Sequence, residues 1–150
     1  MRRLLVVEDS GSARALVRAI LEDVSFSDPF GGCEVTEATS GFDAMRLLPR
    51  RRYDLIITDI NMADINGLEL IHFIRKSEHH RQTPLVIIST LGAERDVERG
   101  LALGANAYIP KPFSPDQLRT VCAKLLTDPP KPVPLGSSSR NDVSRPKNGD

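Results

Sequence analysis

Four charged side chains stand at the ends of apolar runs, and their types point to one chemistry. Glu8 and Asp9 follow the run Arg3 to Val7, Asp59 follows Asp54 to Thr58, and Lys111 lies in the string Tyr108-Ile109-Pro110-Lys111-Pro112-Phe113. If these runs are neighbouring strands of a parallel sheet, the four side chains meet at one edge. Three carboxylates make an oxygen-rich site for a hard divalent cation such as Mg²⁺. One ammonium beside them offers a point charge to an anion. That set suits Mg²⁺-dependent phosphoryl chemistry, with Asp59 as the nucleophile.

Bringing them together takes five β-α units. The first strand is read at Arg3 to Val7. The next segment predicts a helix with Leu16, Val17, Ile20, Leu21 and Val24 on one core-facing stripe. Ser25 to Gly32 holds Pro29 and a Gly-Gly pair and reads as a loop. Cys33 to Ala38 predicts the second strand, and Gly41 to Leu48 a short helix stopped by Pro49. Asp54 to Thr58 fits a central strand buried on both faces. Gly67 to Lys76 follows as a helix with Leu68, Ile71 and Ile74 inward. Leu85 to Ser89 is aliphatic and suits the fourth strand. Ala93 to Leu103 is read as the fourth helix, ending at Gly104. Ala107 to Ile109 is the fifth strand. Ser114 and Pro115 start a last helix with Leu118, Val121, Cys122 and Leu125 inward. The class is α/β, a parallel, doubly wound sheet, because parallel strands need right-handed helical crossovers.

Composition bounds the rest. Apolar residues make up 40% of 150, and 20 Lys+Arg balance 20 Asp+Glu, so no global field favours nucleic acid or an anionic membrane. The run Pro49 to Arg52 reads as a solvated turn. Cys33 and Cys122 form no C-x-x-C pair and read as reduced, buried thiols. Only four apolar residues lie between Arg3 and Glu8, too few for a signal peptide or a membrane span. A cytoplasmic location is expected, with no direct nucleic-acid partner and no membrane insertion. Residues 1–127 read as one domain. The segment 128–150, with five prolines and four serines, reads as a disordered tail.

Taken in order, Glu8-Asp9, Asp59-Ile60-Asn61-Met62, Gly67, Ser89, Gly104-Ala105, Tyr108 and Lys111-Pro112-Phe113 resemble the receiver domain of bacterial two-component response regulators, over roughly residues 3 to 126. Asp59 to Ser89 is 30 positions and Ser89 to Lys111 is 22, similar to the CheY-like pattern. The resemblance implies a flavodoxin-like (βα)5 sheet of strand order 2-1-3-4-5. It implies that Asp59 takes a phosphoryl group from a sensor histidine kinase or a histidine phosphotransfer protein. Glu8, Asp9, the Asp59 carboxylate and the backbone carbonyl of Asn61 would hold Mg²⁺, while Lys111 and Ser89 meet phosphoryl oxygens. Ser89 and Tyr108 would form the switch, with Tyr108 rotating inward. That alters the face of the fourth helix, fifth strand and fifth helix, where a downstream protein docks and where Arg95, Arg99 and Tyr108 are contact candidates. A cis Lys111-Pro112 bond is also implied.

Such a chain is a phosphoacceptor that assists its own phosphorylation and dephosphorylation rather than an enzyme with a diffusible substrate. It serves either as a stand-alone effector or as a phosphorelay intermediate passing its group to a histidine phosphotransfer protein. Haloacid dehalogenase-like phosphohydrolases also use a strand-end aspartate with Mg²⁺. They need an acid two residues on, where this chain has Asn61, which cannot serve as general acid. Three departures from the family pattern matter. Ala63 stands where proline is usual, so the turn after Asp59 is expected to be looser. Ser89 replaces the usual threonine. Leu91 puts an apolar group near the site mouth and is expected to slow loss of the phosphoryl group. Plainer roles also exist: Glu8 and Asp9 could cap the first helix, Tyr108 could be core or rim, Met45 and Met62 read as packing, and His79-His80 as facing water.

Overall fold

The computed structural model describes residues 1–90 and 94–130. In chain order it contains β1 (Arg2–Val7), α1 (Gly11–Glu22), β2 (Cys33–Ala38), α2 (Gly41–Leu47), β3 (Leu55–Asp59), α3 (Gly67–Lys76), β4 (Leu85–Thr90), α4 (Glu94–Leu103), β5 (Ala107–Lys111) and α5 (Pro115–Thr127). All strand pairs are parallel and the order is β2-β1-β3-β4-β5. The expected flavodoxin-like sheet and its order are both present.

The alternation of side chains along each strand divides the interior in two. Leu5, Val7, Ile56, Leu85 and Ile87 face one side and pack with Ala44 of α2, Leu70, Ile71 and Ile74 of α3, and Val97 of α4. Leu4, Val6, Leu55, Ile57, Val86, Ile88 and Ile109 face the other and meet Val17, Ile20 and Leu21 of α1 and Leu118, Cys122 and Leu126 of α5. Every residue of β3 is buried, as a central strand covered on both faces requires. Each fully buried Leu or Ile stabilises the fold by roughly 1.5–3 kcal/mol. Met45, Met62 and Tyr108 pack against the first of these cores.

Side-chain caps fix where helices begin. Ser10, Ser40, Asn66 and Ser114 each accept a backbone N–H at the start of α1, α2, α3 and α5, and Ser114 forms a full capping box with Gln117. Ser10, rather than Glu8 or Asp9, therefore caps α1.

Several expectations need correction. Ser25 to Gly32 is not a plain loop: Val24–Ser27 makes one helical turn and Asp28–Phe30 a 3-10 turn. Asp23 caps the first of these and Phe26 is buried beneath it, a contact the Pro and Gly signals concealed. Leu16 and Val24 are 51% and 71% exposed, so the inward stripe of α1 is narrower than its apolar count. The α2 helix ends at Leu47, and Pro49 sits within the 3-10 turn Leu48–Arg50, a first-turn place that needs no N–H. In α5, Val121 and Leu125 are half-buried and Leu126 lies deeper. Cys33 is half-buried rather than buried.

His80 does not face water. It is 0% exposed, its ring stacked on Tyr53 with centroids 5.7 Å apart and planes inclined by 30°. Its Nε2 lies 2.9 Å from the Leu48 carbonyl and 3.1 Å from that of Arg51, and Nδ1 is 3.3 Å from the Thr83 hydroxyl. The polar neighbourhood in sequence is a buried, hydrogen-bonded turn in space. Arg75, at the end of α3, donates to the carbonyls of Gly104, His80 and Thr83 and so joins three turns. Leu91 and everything beyond Pro130, most of the expected tail, lie outside the described residues.

Candidate functional site

Register alone sets the edge on which the charged groups meet. Val7 pairs with Thr58, Asp59 with Ile88, Ser89 with Pro110 and Thr90 with Lys111, so β1, β3, β4 and β5 all end on the same side of the sheet. Glu8 continues β1 and its amide still bonds the Ala38 carbonyl. Asp59 and Lys111 are the last residues of β3 and β5. The Lys111-Pro112 bond is cis.

The ammonium of Lys111 bridges two of the carboxylates. Its Nζ donates to Glu8 Oε1 at 2.6 Å and to Asp59 Oδ2 at 2.8 Å. Glu8 and Asp59 are 5% and 6% exposed, while Asp9 faces solvent. Each carboxylate also accepts one backbone N–H: Glu8 Oε2 from Ser10 at 3.0 Å, Asp59 Oδ1 from Asn61 at 3.1 Å, and Asp9 Oδ2 from Ala63 at 3.2 Å. Those bonds leave lone pairs free. Oxygens of Glu8, Asp9 and Asp59 lie within 4.8 Å of one another. An all-oxygen set of this kind fits a hard cation such as Mg²⁺, which combines a few carboxylates with carbonyls and water.

Charges here are strongly linked. Burial raises the Glu8 carboxyl above its ordinary value, and the negative charge of Asp59 adds to that. The Lys111 and Ser10 hydrogen bonds pull the other way without reversing it. For Lys111 burial works downward, but hydrogen bonds to Asp59 and Glu8 outweigh it and the ammonium is held more firmly charged than usual. The two carboxylates thus hold the Lys111 charge in place.

Ser89 is 0% exposed and its hydroxyl has no hydrogen-bond partner among the described residues. A buried hydroxyl left so costs about 1–3 kcal/mol. Tyr108, paired with Ile87, is half-buried. It lines a groove of about 350 Å³ with Pro110, Gln117 and Val121. Arg95 and Arg99 project outward on α4. A cleft of about 510 Å³ lies at the opposite end of the sheet, beside Arg2, Tyr53, Pro84 and Leu126.

Three contributors went unread in the sequence. Arg14 donates to the Glu8 carbonyl at 2.8 Å and is itself held by Glu37 at 2.8 Å, fixing the turn that carries both acids. The other two are the Ala63 amide and Asp64. Ala63 was expected to loosen its turn, yet its N–H is bonded to Asp9, a bond proline could not make. Periodicity carries no signal for any of them, since each acts through a partner more than 20 positions away or through backbone. Gly67, by contrast, was read: a Cβ there would sit 2.6 Å from Ile60 Cα, and its N–H bonds the Ile60 carbonyl at 2.8 Å.

Known proteins share this fold. The family profile for the response regulator receiver domain matches residues 4–123. A chemotaxis protein CheY homolog of Campylobacter jejuni is 35% identical over 118 residues, spanning 78% of this chain and 86% of the relative. The structure of the chemotaxis response regulator CheY4 of Vibrio cholerae superposes with a TM-score of 0.73 at 30% identity, covering 84% of this chain and 99% of that one. The receiver domain of a sensor histidine kinase from Pseudomonas aeruginosa, with a magnesium ion coordinated in its active-site cleft, superposes with a TM-score of 0.72 at 27% identity, covering 85% and 98%.

Proposed function

The chain belongs to the response regulator receiver family, and we propose on that premise that it is a phosphorylation-controlled interaction module whose phosphoacceptor is Asp59. The observation that carries the reading is the Lys111 ammonium set between Asp59 and Glu8, with Asp9 completing an acidic trio within 4.8 Å. The domain is read as residues 1–127 and the output as protein recognition. Among the described residues no helix is long and apolar enough to cross a membrane.

The transfer needs one displacement. A carboxylate oxygen of Asp59 bonds to the phosphorus of a phosphohistidine; the P–N bond breaks and its electron pair leaves with the imidazole of a kinase or phosphotransfer protein. Glu8, Asp9, Asp59 and the Asn61 carbonyl would hold Mg²⁺, which when bound supplies charge neutralisation for the transferring oxygens. Lys111 is already charged and already on Asp59, so it need only share a donor with a phosphoryl oxygen. Ser89, whose hydroxyl has no partner among the described residues, can then donate to another. Movement of Ser89 opens space for Tyr108, which changes the α4-β5-α5 face. Reversing a 1:99 population requires about 5.5 kcal/mol of preference for one state, within reach of a few charge-assisted bonds.

The test is intact mass after incubation with Mg²⁺ and a small phosphodonor. Wild type should gain one phosphoryl group and Asp59→Asn none; equal labelling of both would end the proposal. Adding a histidine phosphotransfer protein to the labelled chain separates two roles. Rapid loss of label marks a relay intermediate, and retention with phosphorylation-dependent partner binding marks an effector.

A further inference from the structure

The loop that leaves Asp59 is held from two sides. On one, the Ala63 N–H donates to Asp9 Oδ2 at 3.2 Å. On the other, Asp64 Oδ1 accepts from the Gly41 N–H at 3.2 Å and Oδ2 from that of Phe42 at 2.9 Å. Those are two of the amides at the start of α2 that its own turns leave free. Ile65 is buried and packs so closely there that a Cβ on Gly41 would collide with its Cγ2. Asn61, whose amide bonds Asp59, heads the same segment. Residues 61–65 thus run as a strap from the acidic pocket to α2.

We propose that Asp64 is a positioning residue that ties the pocket to the start of α2, so that cation uptake at Asp9 and Asp59 is felt at Gly41 and Phe42. The proposal rests on the reading of Glu8, Asp9 and Asp59 as a cation site. A charge entering the pocket competes for the Asp9 and Asp59 oxygens that now accept from Ala63 and Asn61. The strap must respond, and its far end is anchored by Asp64. The same anchor holds the segment that presents the Asn61 carbonyl to the pocket, so loading is felt at the Asp64 end and releasing the strap there weakens loading. The Phe42 amide, with those of Ile65 and Gly41, holds the Asp64 carboxyl below its ordinary value, so the anchor stays ionised at neutral pH.

The experiment is a Mg²⁺ titration of the full chain followed by amide NMR, in wild type, Asp64→Ala and Asp64→Asn. In wild type the Asn61 and Ala63 resonances should move, and those of Gly41 and Phe42 should move with the same midpoint. Asp64→Ala should raise the midpoint by about threefold to tenfold and decouple the α2 amides. Asp64→Asn keeps one of the two acceptor oxygens and should raise the midpoint less than Asp64→Ala does. Movement of Asn61 and Ala63 without Gly41 and Phe42 overturns the coupling and leaves the cation site standing. No movement at any of the four removes the cation site itself. An unchanged midpoint in a folded Asp64→Ala also overturns the proposal, and the wild-type arm decides the matter even if that variant folds poorly.

Discussion

At the residue scale, buried polar groups divide into those the sequence announces and those it hides. Glu8, Asp59 and Lys111 were legible because each ends an apolar run, and a charge there has few places to go except the edge of a sheet. His80 was hidden, since nothing within a few positions reveals that the carbonyls of Leu48 and Arg51, about 30 positions away, converge on it. Burial holds this imidazole below its ordinary value, and the neighbouring charges of His79 and Arg52 push the same way; the two carbonyl bonds only partly oppose them. The folded chain therefore keeps His80 neutral while the unfolded chain takes up a proton below about pH 6.5. Its contribution to stability should be complete above that pH and be lost as the pH falls through the folded-state value. Urea unfolding of wild type and His80→Gln from about pH 7.5 to about pH 5 checks this. The wild-type advantage should shrink on acidification, and a gap independent of pH would refute the account.

Elements were readable where a stripe of apolar residues matched a helix or strand period, and unreadable where stability comes from groups joined across turns. The five strands and five main helices were found from pattern alone. The extra turns at Val24–Ser27 and Asp28–Phe30 were not, because a buried Phe26 in a polar stretch carries no period. Arg75 shows the same limit. In sequence it is a basic residue in the last turn of α3, a favourable place for a cation. In space it donates to Gly104 at 2.8 Å, Thr83 at 2.8 Å and His80 at 2.9 Å, linking α3 to the turns before β4 and β5. Desolvation lowers it to about 10, still charged at neutral pH. Arg75→Met should cost about 2–4 kcal/mol, since it strips several partly buried carbonyls of their donors at once. Its partners are carbonyls, so the loss in urea midpoint should persist in high salt. A loss that salt abolishes would point to an ion pair instead.

For the whole molecule, periodicity identified the class but not the neighbours: strand order 2-1-3-4-5 came from the family resemblance, since an apolar run does not say which run lies beside it. What the fold then adds is a division, with the charged cluster at one edge of the sheet and tightly packed apolar layers across both faces. Cys122 belongs to the layer under α1 and α5, at 0% exposure, and burial pushes its thiol up to about 12. Cys33, on the edge strand β2, is half-buried. A thiolate is what reacts with an alkylating reagent, so Cys122 should be silent until the layer opens as a unit. Intact mass during iodoacetamide treatment should show one adduct forming first and the second at a rate that climbs with denaturant; two adducts at equal rates in native buffer would contradict this. With iodoacetamide present, the chain therefore records its own excursions from the native state, the second irreversible mark counting the molecules that have opened, with no dye or engineered tag.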